Sequence, residues 1–197
     1  QGAFREHGAA IRALGATPVE VRLPEHLADV AGLIIPGGES TTIGKLAALY
    51  GLDTAIRRFN QEQGRPVYGT CAGMIYVARD AGRPQPVLGL IDVAVERNAF
   101  GRQIDSFETA LPIAALGAPP FPAVFIRAPL IGSVGPGVQV LARLADGRPV
   151  AAQQGRVLVT AFHPELTGDL RIHRYFLEQC AAAAADSGAG EARRKTA

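Results

Sequence analysis

A chain of 197 residues with 48% hydrophobic content can bury a substantial core as one domain, and its length does not require a second. A formal net charge of +2, with basic residues scattered except for Arg193-Arg194-Lys195, gives no nucleic-acid footprint. Its two cysteines, Cys71 and Cys180, are too few for a disulfide framework and stand in no metal-ligand spacing. No run is long and apolar enough to span a bilayer and no signal-peptide pattern is visible, so the expected setting is a reducing cytoplasm without membrane attachment.

In chain order, the hydrophobic pattern predicts a helix over 9–14, strands over 19–22 and 33–35, helices over 41–50 and 53–63, a strand over 67–68 and a helix over 72–80. Alternation of this kind predicts a parallel sheet covered on both faces. From Val87 onward the texture changes to short β segments, with 138–144 and 149–153 joined across Asp146-Gly147 as a hairpin. Apolar runs at 123–126 and 156–162 read as strands, and 169–184 as a helix whose apolar face carries Cys180 as a packing residue. The expected fold is a three-layer α/β sandwich with a mostly parallel central sheet, helices on both faces and a small antiparallel extension. It forms one domain over 1–185, with 186–197 a disordered tail.

Three segments carry chemistry. Arg65-Pro66-Val67-Tyr68-Gly69-Thr70-Cys71-Ala72-Gly73 reads as a buried strand turning sharply into a helix, a nucleophile elbow with sulfur in place of oxygen. Small residues at Gly69, Ala72 and Gly73 let the strained corner form, and the first helical amides would face an oxyanion. Alone, such a cysteine reads equally well as a buried core residue. The run ending Ala161-Phe162-His163-Pro164-Glu165 supplies a base followed by a carboxylate that can orient it, although by itself His-Pro-Glu is a common surface turn. Gly32-Leu33-Ile34-Ile35-Pro36-Gly37-Gly38-Glu39 is a strand entering a glycine bend, which suits an oxyanion hole better than a phosphate cradle because no P-loop or dinucleotide pattern is present.

Together these segments resemble the class I, triad-type glutamine amidotransferases. Three further stretches, Gln1-Gly2-Ala3-Phe4-Arg5-Glu6-His7, Pro36-Gly37-Gly38-Glu39-Ser40-Thr41 and Glu96-Arg97-Asn98-Ala99-Phe100-Gly101-Arg102-Gln103, are similar to the glutaminase subunits of pyridoxal 5′-phosphate synthases. The resemblance runs from Gln1 to about Glu178 and implies a class I amidotransferase fold. It implies Cys71 as nucleophile, His163 and Glu165 as its relay, and Gly37, Gly38, Glu39, Arg97, Ile126 and Arg127 as L-glutamine-binding positions. Arginines and a carboxylate suit a ligand that carries both a carboxylate and an ammonium. No cofactor or metal is implied for this step; the implied partner is a (β/α)8-barrel synthase subunit that receives the ammonia.

The same resemblance leaves two alternatives, a glutaminase serving a different synthase and a non-catalytic assembly subunit. The segment 96–103 argues against the first and the intact Cys71, His163 and Glu165 against the second. Docking is expected near the glycine loop and Gln1-Gly2, with the helix bearing Arg5, Glu6 and His7 forming part of the docking face. The relatives implied by the resemblance place an apolar strand just before Gln-Gly, so a strand is expected ahead of Gln1.

Overall fold

A computed structural model describes residues 1–97 and 106–195, with side chains placed as far as Asp186. The first helix, α1, spans Phe4–Ala13 and buries His7, Ala10 and Ile11, a spacing of three and four that lines one helical face. After it come β1 (Leu33–Ile35), α2 (Ser40–Leu49), α3 (Leu52–Arg57), β2 (Val67–Thr70), α4 (Ala72–Val77) and β3 (Ala78–Asp80). The β-rich half holds β4 (Ile91–Glu96), β5 (Ser106–Leu111), β6 (Phe121–Ile126), β7 (Leu130–Val134), β8 (Gln139–Arg143), β9 (Pro149–Gln154) and β10 (Val157–Thr160), and α5 (Arg171–Lys195) closes the chain.

The main sheet has the order β1-β2-β10-β9-β8. Its β1, β2 and β10 run parallel, and β9 and β8 follow antiparallel. The sheet is therefore mixed, with a three-stranded parallel core and an antiparallel part as prominent as that core. Two smaller sheets, β3-β4-β7 and β5-β6, complete the β structure among the described residues.

Three layers follow from the pleat of β2, because successive side chains point to opposite faces. Tyr68 meets Phe176 of α5, with ring centroids 5.6 Å apart, and the His7 ring of α1 at 6.5 Å, so α1 and α5 cover that face. Gly69 points the other way, where an added Cβ would lie 2.7 Å from the Gly73 carbonyl, so α4 packs backbone to backbone on the opposite face. Gly73 shows the same tightness, since a Cβ there would sit 1.9 Å from the Ile35 carbonyl. Val67, Tyr68, Leu158 and Val159 are fully buried, and burial of a large apolar side chain stabilises by about 1.5–3 kcal/mol.

Four local expectations change. The segment 19–22 is no strand: the Arg22 amide donates to His26 Nδ1 at 3.2 Å and Val19 is exposed, so no ladder partner is present among the described residues. The helix expected over 72–80 stops at Val77, because Ala78–Asp80 pairs with β4 as β3. The helix expected over 53–63 is α3 continued by a π-helical segment, Arg58–Glu62. Finally, α5 continues past Ala184, its expected end, to Lys195. The hairpin across Asp146-Gly147 stands as β8 and β9.

Candidate active site

Parallel neighbours end at the same edge of a sheet, and here three of them release their following residues together. Register pairs Ile35 with Gly69, and Thr70 with Thr160, so the Gly37-Gly38 bend, Cys71 and the approach to His163 all leave from one edge.

Cys71 sits at the corner between β2 and α4 with φ 49° and ψ −107°, a left-handed conformation that a side-chain-bearing residue rarely adopts. The corner is pinned by the Cys71 amide, which donates to the Thr160 carbonyl at 2.8 Å across the β2–β10 pair. That amide is thereby engaged and is not free to meet an oxyanion.

His163 is held from both sides in sequence. Phe162 packs its ring on Phe121 and Phe125 of β6, and the His163 amide donates to the Val124 carbonyl at 2.8 Å. A single 3-10 turn, Pro164–Leu166, then folds Glu165 back under the imidazole, so that His163 Nδ1 donates to Glu165 Oε1 at 2.7 Å. This leaves Nε2 for the sulfur. Burial of the ring disfavours its charge, but hydrogen bonds and charge interactions with Cys71 and Glu165 outweigh it and lift His163 to about 10. Burial works against the Glu165 anion as well; the His163 hydrogen bond and the nearby His7 and His163 overcome it and hold the carboxyl below its ordinary range. The proton of the pair therefore resides on the imidazole.

Gly37 is where the elements converge. A Cβ at this position would lie 2.5 Å from His163 Cε1 and 3.4 Å from Cys71 Cβ, so only glycine lets the three approach. Gly37→Ala is expected to push the imidazole aside and lower turnover by about a hundredfold, the order that a 1 Å misplacement costs, while circular dichroism stays unchanged. Wild-type turnover in that variant would show that the ring does not need its present position. The Gly37 carbonyl accepts from the Ala3 amide at 3.0 Å, and Gly38 lies against Gln1, whose Oε1 would be 2.4 Å from an added Cβ.

The remaining expected positions fall around this centre. Glu39 caps α2: Oε1 accepts from the Thr41 amide at 3.1 Å and Oε2 from the Thr42 amide at 2.7 Å. The Thr41 amide, and then the Thr42 hydroxyl and amide, pull its carboxyl down to about 2. Arg97 donates through Nη1 to Ser40 Oγ at 2.9 Å and to Gln85 Oε1 at 3.1 Å. Burial and Arg83 lower its hold on a proton, while Glu39 and Cys71 act in the opposite sense, which puts Arg97 in the electrostatic neighbourhood of Cys71. Ile126 ends β6, and the exposed Arg127 follows at φ 43°, just beyond the carbonyl that anchors His163. Residues 98–103 of the third family-like stretch lie outside the described residues. Arg97→Ala is expected to raise KM for glutamine about ten- to a hundredfold with kcat nearly kept, measured as glutamate release against substrate concentration.

Sequence reading missed His7, Thr70, His173 and Gln85. On the helix expected to form part of a docking face, His7 is buried and Arg5 and Glu6 beside it are exposed. Its spacing from Ala10 and Ile11 was the available signal. Among the described residues, no group of three or more His, Cys, Asp or Glu side chains is placed to hold a metal ion, and no helix is long and apolar enough to cross a membrane.

A cysteine at a strand-to-helix elbow, backed by histidine and glutamate on a three-layer α/β sandwich, has the geometry that thiol-dependent acyl transfer requires. Over residues 1–182 the chain matches the SNO glutamine amidotransferase family, and it belongs to that family. It is 61% identical over 181 residues to the pyridoxal 5′-phosphate synthase subunit PdxT of Pelotomaculum thermopropionicum, covering 91% of each chain. It is 57% identical to the protein of the same name from Herpetosiphon aurantiacus, over 90% of this chain and 95% of that one. A solved glutamine amidotransferase superposes with TM-score 0.86 at 52% identity, over 92% of this chain and 95% of its own. A solved protein of Thermoplasma acidophilum, described as part of a GMP synthase, shares the fold alone, with TM-score 0.66 at 16% identity.

Proposed function

We propose that this chain is the glutaminase subunit of a pyridoxal 5′-phosphate synthase, hydrolysing the side-chain amide of L-glutamine through a thioester on Cys71 and delivering the ammonia to a synthase subunit. The observation that carries this reading is the convergence of Cys71, His163 and Gly37 at one sheet edge, with Glu165 hydrogen-bonded to the imidazole at 2.7 Å.

In this reading Cys71 Sγ attacks the amide carbon, and negative charge developing on the amide oxygen meets backbone amides of the elbow and the glycine bend. The imidazolium of His163 gives its proton to the leaving nitrogen, the C–N bond breaks and ammonia departs. A water then attacks the γ-glutamyl thioester with His163 as base, the C–S bond breaks and glutamate leaves. Glu165 keeps the Nδ1–H tautomer and supports the imidazolium. In the same reading Arg97 and Arg127 bind the substrate carboxylate, and Glu39 gives the substrate ammonium a negative neighbour. A (β/α)8-barrel synthase is the proposed partner. The two unpaired thiols, Cys71 and Cys180, fit a cytoplasmic setting.

Partner dependence has a structural handle. Because a trans peptide carries its C=O and N–H on opposite sides, the bond from the Ala3 amide to the Gly37 carbonyl sets where the Gly38 N–H points. A partner that moves Gln1 to Ala3 can turn that donor toward the oxyanion. Glutamate release is therefore expected to be low from the chain by itself and to rise about tenfold or more once the synthase is present. Equal rates would mean that the site is already organised alone, and no release in either condition would overturn the glutaminase reading.

A further inference from the structure

Behind the triad lies a second layer of buried imidazoles that the chemistry above does not use. The Glu165 side chain is fully buried, and only its Oε1 is hydrogen-bonded. Its Oε2 lies 3.4 Å from His7 Nε2, close enough for a charge contact but longer than a good hydrogen bond. His7 Nε2 also meets Thr70 Oγ1 at 3.2 Å, and His7 Nδ1 meets His173 Nε2 at 3.0 Å. One ring on α1 thus touches the residue preceding the nucleophile, the carboxylate of the relay and a ring on α5.

We propose that His7 is a positioning residue of this site, holding the second oxygen of Glu165 through its Nε2–H so that the first stays aimed at His163. The inference rests on the glutaminase reading for the role of Glu165 and deepens it.

The direction of the hydrogen-bond chain follows from which arrangement leaves the fewest buried groups opposed. Burial pulls His7 below its ordinary value, against Glu165 and Glu6 and with His163, and it pulls His173 down to about 4, so both rings are neutral near pH 7 and each carries one N–H. If His7 donated from Nδ1 to His173, its Nε2 lone pair would face the Glu165 anion, and His173 would bear a buried Nδ1–H that has no partner. In the opposite direction His173 Nε2–H donates to His7 Nδ1, and His7 Nε2–H faces Thr70 Oγ1 and Glu165 Oε2. A lone pair on His173 Nδ1 is then left unpaired, and Glu165 Oε2, which has no hydrogen bond, faces the protonated His7 Nε2 at 3.4 Å. An unpaired buried acceptor beside no charge is the milder cost, because a lone pair turned on a carboxylate adds repulsion to desolvation. Tyr68, the other polar side chain against the His7 ring, donates or accepts at Thr160 and leaves this chain undisturbed.

His7 touches no substrate-binding position, so its loss should act on turnover alone. In the complex with the synthase subunit, His7→Leu, which keeps bulk but removes the donor, is expected to lower kcat about ten- to a hundredfold with KM for glutamine unchanged. His7→Gln, whose amide can place an N–H near the same point, should stay within about threefold of wild type. His173→Leu leaves α1 untouched and removes the donor that sets the His7 tautomer, with an expected loss of about threefold in kcat. Alkylation of Cys71 by iodoacetamide, assigned by peptide mass spectrometry, reads the same effect without glutamine. Its rate should fall in His7→Leu and hold in His7→Gln even if the complex proves to hydrolyse a different amide. Equal kcat and alkylation rates in His7→Leu, His173→Leu and wild type would overturn the proposal. So would equal losses in His7→Leu and His7→Gln accompanied by a lowered Tm, which would make His7 a packing residue.

Discussion

Cys71→Ser is expected to reduce glutamine hydrolysis by at least about a thousandfold, with glutamine binding and Tm close to wild type. Serine differs from cysteine by one atom, and the elbow geometry at φ 49° is set by the strand, by the Cys71 amide bonded to Thr160 and by the glycines on either side, none of which depends on sulfur. What changes is the nucleophile. Hydrogen bonds and charge interactions with Cys71 and Glu165 raise His163 to about 10, and a serine oxygen in the place of sulfur is the poorer nucleophile beside that imidazole. Glutamate release by the complex and glutamine binding by calorimetry are the two measurements. Turnover near wild type in the serine variant would remove Cys71 from the mechanism.

His163→Asn should cost nearly as much, again at least about a thousandfold in kcat, and the double variant should lose little more, because nucleophile and base act as one unit. The same substitution predicts a pH dependence of stability. Despite burial, which opposes charge, hydrogen bonding to Cys71 and Glu165 raises His163 from 6.5 to about 10 in the folded chain. A group whose folded value is raised contributes fully below its unfolded value and loses that contribution as pH climbs through the folded one. The Tm advantage of wild type over His163→Asn should therefore be largest below about pH 6.5 and shrink toward pH 10. A gap that widens with pH would contradict the raised value.

Much of the site was legible because its parts are local. Glycines two positions either side of a cysteine at a strand end, or a proline between histidine and glutamate, state their backbone geometry within a few residues, and the 3-10 turn Pro164–Leu166 bringing Glu165 to His163 is such a case. Glu39 shows the limit of motif reading: the same carboxylate that the family pattern assigns to substrate has both oxygens engaged in capping α2. Arg97 likewise reaches Ser40 and Gln85, contacts for which its local sequence holds no signal.

The sequence by itself determined the corner geometry and the candidates for the chemistry: where small residues permit a turn, and that a cysteine, a histidine and a carboxylate stand at two strand ends. These are properties of dihedral preference and of covalent neighbours. Tertiary structure decided the rest. The parallel register of β1, β2 and β10 brings three distant strand ends to one edge, and packing of α1 and α5 on the Tyr68 face places His7 and His173, 166 residues apart, behind Glu165. A histidine on an apolar helical face carries the same local pattern whether it ends at the surface or inside; only the neighbours supplied by the fold determine that it is buried, uncharged and within reach of a carboxylate.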